Sequence, residues 1–178
     1  ATVTLGVYFA DTYRQPLGFS YRDVWSISTL DRDLILGDEA AEKRRQILLA
    51  LQEMEEIESV AGVDSGASPY GLSRSETRVK YQDRKIQTLL GEVTDGFKET
   101  MGLQIVQGRW FERADDALDW EPVVITRKLS RELFGREDPL GKDVGKDRRV
   151  VGVVSDYRRG GEFSGNQNFM LVRATQPG

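Results

Sequence analysis

The chain has 178 residues, 39% of them hydrophobic and 30% charged, with a net charge of −4 and neither cysteine nor histidine. Such a composition belongs to a globular protein that can bury roughly 70% of the surface its unfolded chain exposes, and no apolar run reaches the ~18 residues needed to cross a bilayer. Disulfides, thiolate nucleophiles, Cys/His zinc sites and histidine general bases are all excluded, and the acidic balance, with a pI near 5.1, gives no overall attraction to nucleic acid or anionic lipid. No signal peptide is legible, so the chain reads as a processed or excised segment.

Along the chain, the opening "ATVTLGVYFADTYRQPLGF" fits a strand through Val3, Leu5, Val7 and Phe9 and a helix through Val3, Val7 and Ala10 equally well. Pro16 and Gly18 break it, and "DVWSISTL", Asp23 to Leu30, alternates as a strand does. In "DEAAEKRRQILLALQEMEEIESV", Ile47, Leu51, Met54 and Ile57 recur at helical spacing among charges. This predicts an amphipathic helix from about Asp38 to Ser59, after a break at Gly37, with its apolar stripe against a sheet. "VAGVDSGAS" follows with almost no linker, as a strand of a β-α-β crossover would.

"SPYGLSRSE" is a turn-rich connection, "TRVKY" and "IQTLLGEVT" are strands around a "QDRK" turn, and "DGFKETMG" is a short helix ending on Gly102. Then come the strand "LQIVQG", the segment "RWFERADDALDW", the strand "PVVIT" and a short helix "RKLSRELF" between Thr126 as N-cap and Gly135. "RRVVGVVSDY" is a buried strand, "RRGGEFSGNQN" a glycine-rich surface loop, and "FMLVRA" a last strand. Short strands with few helices predict an α+β domain with mixed pairing.

"LFGREDPLGKDV" contains the ingredients of a phosphate loop at the wrong spacing. Five residues, not four, separate Gly135 from Gly141, and Asp143 stands where a magnesium-binding hydroxyl belongs. We read it as a turn, with Lys142 as solvated charge. Glu112, Asp115, Asp116 and Asp119 form the densest carboxylate group, but their spacing matches no EF-hand, so we read a solvated turn. No serine sits in a G-x-S-x-G elbow. The residues therefore point to no catalytic, cofactor-binding or metal site.

Read in order, "GLQIVQGRWF", "ADD", "PVVITRKLSRELFGREDPLGKDV" and "VVGVVSDY" resemble the extracytoplasmic core domain of MacB-like and FtsX-like ABC transporter permeases. "YRQPLGFSYRDVW" is similar to the segment after the first transmembrane helix of that family, which favours helix for the residues before it. The resemblance implies a two-lobed α+β domain: a porter-like β-α-β lobe from residues 1–68 plus 148–178, and an inserted mostly-β lobe at 69–147. It implies a non-catalytic periplasmic domain of an inner-membrane protein, with no cofactor of its own and ATP on a separate nucleotide-binding domain or subunit. Implied partners are that nucleotide-binding domain, reached through the transmembrane region, a second permease copy and a periplasmic accessory protein, with no nucleic acid. Contacts are expected from "SPYGLSRSE" and "RRGGEFSGNQN", at Tyr70, Arg74, Arg158, Arg159 and Phe163. The alternative is an exported sensor or small-ligand-binding domain, with Trp110, Trp120 and the acidic turn forming a pocket. A carboxylate-only hydrolase is a third reading, and it needs two acids facing across a cleft about 5 to 9.5 Å wide.

Overall fold

A computed structural model describes residues 10–27 and 38–174. Residues 10–14 are helical, as the family resemblance favours, and residues 1–9 lie outside the described part. The strand expected at Asp23 to Leu30 is absent over its described residues, 23–27, where a turn closed by Val24 N–H on the Tyr21 carbonyl directs the backbone instead. The rest of that segment, and the break at Gly37, fall outside the description.

Helix α1, Asp38–Gln52, ends about two turns before the expected Ser59. Its stripe does not pack into either core cluster of the sheet: Ile47 and Met54 are exposed, and Leu48 lies beside Gly62. The reason is that both sheet faces already have other covers. The segment after α1 makes one bridge, Val63 to Val93, and no strand, because the Asp64 carboxylate and carbonyl take the Ala67 N–H into a turn.

Period-2 sequences then build one six-stranded mixed sheet. Its strands are β1, Ser75–Tyr81; β2, Arg84–Val93; β3, Ile105–Gly108; β4, Glu121–Thr126; β5, Arg148–Val154; and β6, Phe169–Arg173. They lie side by side as β1-β2-β6-β4-β5-β3, with β2–β6 and β4–β5 parallel and the other pairs antiparallel. The sheet thus draws strands from both sides of the lobe boundary expected at Arg148.

Alternation sends Val124, Phe169 and Leu171 to one face, where they meet Phe19, Phe97, Met101, Trp110, Phe111 and Tyr157. Val123, Ile125, Met170 and Val172 go to the other, under Leu129, Leu133 and Phe134. Phe97 and Met101 come from α2, Phe97–Met101, and the second trio from α3, Arg127–Phe134. Truncating a fully buried side chain such as Leu133 to alanine costs about 2–5 kcal/mol. Among the described residues no helix is long and apolar enough to cross a membrane.

Two turn readings change. Lys142 is not merely solvated: its ammonium donates to the Tyr81 hydroxyl at 2.6 Å, pairs with Glu137 and lies 4.6 Å from the Tyr81 ring centre. Nor does Thr126 cap α3 with its side chain. Its hydroxyl accepts from Phe169 N–H and donates to the Gln167 carbonyl, so it splices β4 to the start of β6.

Candidate functional site

Where β5 ends, five consecutive residues, 155–159, turn in different directions and organise one end of the molecule. Ser155 N–H donates to the Gln104 carbonyl, and Asp156 Oδ1 accepts from Lys128 N–H at 3.0 Å, supplying the cap that Thr126 does not. Tyr157 is fully buried, its hydroxyl donating to the Ala67 carbonyl at 2.7 Å, and burial pushes its pKa well above the ordinary phenol value.

Arg158 follows with 0% exposure. Its guanidinium donates to the carbonyls of Thr12 at 2.9 Å, Gln15 at 2.7 Å, Glu162 at 2.6 Å and Ser164 at 2.9 Å, while its own N–H donates to the Leu17 carbonyl. A buried cation is tolerated only when such acceptors replace its water.

Arg159, 3% exposed, reaches the opposite way, to the carbonyls of Ser65, Gly71 and Ser73. Its carbonyl accepts from Tyr70 N–H, and burial holds its pKa below the ordinary guanidinium value. The two arginines therefore tie residues 12–17 and 65–73 to the loop after β5. They were expected as surface contacts, and the structure turns both inward instead, because the polar loop backbones gathered there need donors. "RRGGEFSGNQN" is thus a pinned loop.

Two glycines permit the approach. Gly18 has φ +81°, and a Cβ there would fall 1.5 Å from the Asp156 carbonyl oxygen; at Gly161, φ +84°, a Cβ would fall 2.4 Å from the Tyr70 ring.

The other expected contact residues stay outside. Tyr70, Arg74 and Phe163 are exposed, and the structure adds Tyr13 and Tyr21 beside them. The Tyr13 and Phe163 rings lie 6.0 Å apart, Tyr21 and Tyr70 6.3 Å, and the two latter hydroxyls donate to the two oxygens of Glu162. The Glu162 carboxyl sits below its usual range, chiefly through its own backbone N–H and then through those hydroxyls. Continuous with this face runs an open groove of about 1010 Å³ whose lining includes Tyr13, Tyr21 and Glu162 together with Gln104, Arg127 and Asn166. Sequence reading missed Tyr13, Tyr21 and Glu162, which no local motif connects.

The acidic turn is a structural element. Arg109 grips Asp115 through two hydrogen bonds of 2.9 and 2.6 Å, Glu112 N–H adds a third, and Asp116 pairs with Arg173, which also binds Asp95. Burial pushes the Asp115 carboxyl up, but the Arg109 and Glu112 bonds outweigh it and leave it below the usual range. Among the described residues no three carboxylates are placed to hold a metal ion. Trp110 is buried with its indole N–H on the Asp95 carbonyl, Arg149 lies over Trp120 at 5.3 Å, and neither ring lines the groove.

Comparison with known proteins bears on what this arrangement serves. The family model described as the MacB-like periplasmic core domain matches residues 1–176. The macrolide export ATP-binding/permease protein MacB of Neisseria meningitidis serogroup A is 23% identical over 150 residues, covering 84% of this chain and 23% of that protein. The protein of the same name from Bartonella henselae is 30% identical over 149 residues, 79% of this chain and 21% of the relative. The chain thus spans about a quarter of the curated relatives' length. Among solved structures, the periplasmic region of MacB from Actinobacillus actinomycetemcomitans matches with TM-score 0.54 and 21% identity, over 72% of this chain and 54% of that one. The extracellular domain of the transporter YknZ from Gram-positive bacteria gives 0.52 and 19%, over 72% and 60%. These two likenesses concern the fold.

Proposed function

Because the chain belongs to the family of MacB-like periplasmic core domains, we propose that it transmits ATP-driven motion within an ABC transporter permease and offers contacts to partners in the periplasm. It is a periplasmic α+β domain, and in this reading it carries no catalysis and no cofactor of its own. ATP is bound and hydrolysed by a nucleotide-binding domain coupled through the transmembrane region, and the motion is delivered against a second permease copy or an accessory protein.

The observation that carries the reading is the Arg158 clamp. Its side chain holds the carbonyls of Thr12 and Gln15, in and just after the helical residues 10–14, to the loop between two central strands. A displacement of that N-terminal segment therefore reaches the sheet through a short, buried and fully hydrogen-bonded connection.

The test uses the assembled transporter with a spin label at Arg78→Cys, an exposed site on β1 in a 178-residue segment without native cysteine, any cysteine elsewhere in the transporter being replaced by serine. The distance between labels on two copies is expected to shift when a non-hydrolysable ATP analogue binds. Arg158→Met is expected to abolish the shift while ATP hydrolysis continues. An unchanged distance in the native transporter defeats the reading.

A further inference from the structure

We propose that the aromatic face formed by Tyr13, Tyr21, Tyr70 and Phe163 is a docking surface for the interfacial layer of a phospholipid bilayer, engaged by aromatic insertion and not by charge. Three segments far apart in sequence are held together here, and each delivers an exposed ring. Tyr13 and Phe163 are both 62% exposed and 6.0 Å apart, and Tyr21 meets Tyr70 at 6.3 Å. Four exposed aromatics on one pinned surface exceed the scatter of single apolar residues that a protein surface normally shows.

The chemistry of the face selects the occupant. Tyrosine presents an apolar ring and a polar hydroxyl, which suits the headgroup region where one end is apolar and the other wet. Within four residues of these rings along the chain, and apart from the buried Arg159, the charges balance: Arg14, Arg22 and Arg74 against Asp11, Asp23 and Glu162. A face built for anionic lipid carries an excess of Lys and Arg, and this one does not. Continuity along the chain points to the same surface. Tyr13 belongs to helical residues 10–14, and the first ten residues of the sequence, Ala1 to Ala10, carry no charge. Trp25, 91% exposed, lies four residues beyond Tyr21. In sequence, an uncharged run passing into an aromatic, charge-balanced segment follows the order in which apolar and then aromatic residues occur at a bilayer boundary. The inference goes beyond the transmission reading and does not depend on it.

The experiment is flotation of the 178-residue chain with vesicles of phosphatidylcholine and phosphatidylethanolamine, in about 0.1 M and about 0.5 M salt. Partition is expected at both salt concentrations, with Tyr13→Ser/Phe163→Ser lowering it roughly tenfold and Phe163→Trp retaining it. Circular dichroism and the urea midpoint check that the double variant stays folded. Because the double variant keeps residues 1–10, an unchanged partition assigns binding to that run and overturns the proposal. No flotation, or flotation only with phosphatidylglycerol vesicles and lost at the higher salt, also overturns it. So does a dimer in sedimentation equilibrium that the double variant abolishes, which makes the face a contact between two copies.

Discussion

Asp115 carries its carboxylate with the side chain 1% exposed, against an Arg109 that is 40% exposed, so the pair is buried on one side only. Replacing the acid by asparagine leaves the Glu112 N–H bond feasible but strips the bidentate grip, and the expected cost is about 1–3 kcal/mol, read as a lower urea midpoint. The pH dependence has a definite sign. A folded-state pKa below the unfolded value of about 3.9 means that the unfolded chain takes up the proton first. The contribution is full above pH about 4 and is lost as pH falls through the lower folded value, and Asp115→Asn is expected to flatten that acid limb. The sequence shows the crowd of carboxylates between Glu112 and Asp119 but not this bond. Arg109 reaches from an extended stretch to an acid six residues ahead in the short 3-10 helix Arg113–Ala117, a separation with no periodic signature. Lys142, Arg158 and Arg159 escaped for the same reason: composition identifies a charge, and only the fold identifies its acceptor.

At the scale of elements, α3 owes its start to a residue just beyond another strand. Asp156, two residues past β5, accepts the Lys128 N–H and the Asn166 side-chain amide, so one carboxylate fixes helix, strand end and loop together. Asp156→Ala is expected to cost about 1–2 kcal/mol, as loss of a helix cap does, and to speed hydrogen exchange at the first turn of α3. Alternation and turn residues made the strands and α3 legible, because period 2 and period 3.6 are written locally. The end of α1 was not legible. Met54 N–H bonds to the Leu51 carbonyl and Ile57 N–H to that of Met54, three-residue turns that keep apolar residues at helical spacing after the helix has stopped. The burial of its stripe depended on which elements cover the sheet, which no window of α1 records.

For the whole molecule the decisive fact is strand order. The last strand in sequence, β6, is third in the sheet, parallel to β2 on one side and antiparallel to β4 on the other. Its residues feed both cores, Phe169 and Leu171 into one and Met170 and Val172 into the other. A chain ended after Asn168 is expected to lose its single cooperative unfolding transition, seen by circular dichroism and urea titration, and not merely to fray at one edge. A polypeptide emerging into the periplasm in order of sequence therefore presents β2 and β4 with raw edges facing a gap that β6 closes. Until residues 169–173 are out, the nascent domain is an open clamp with two sticky jaws, and its safe delivery depends on how quickly β6 follows β4 and β5.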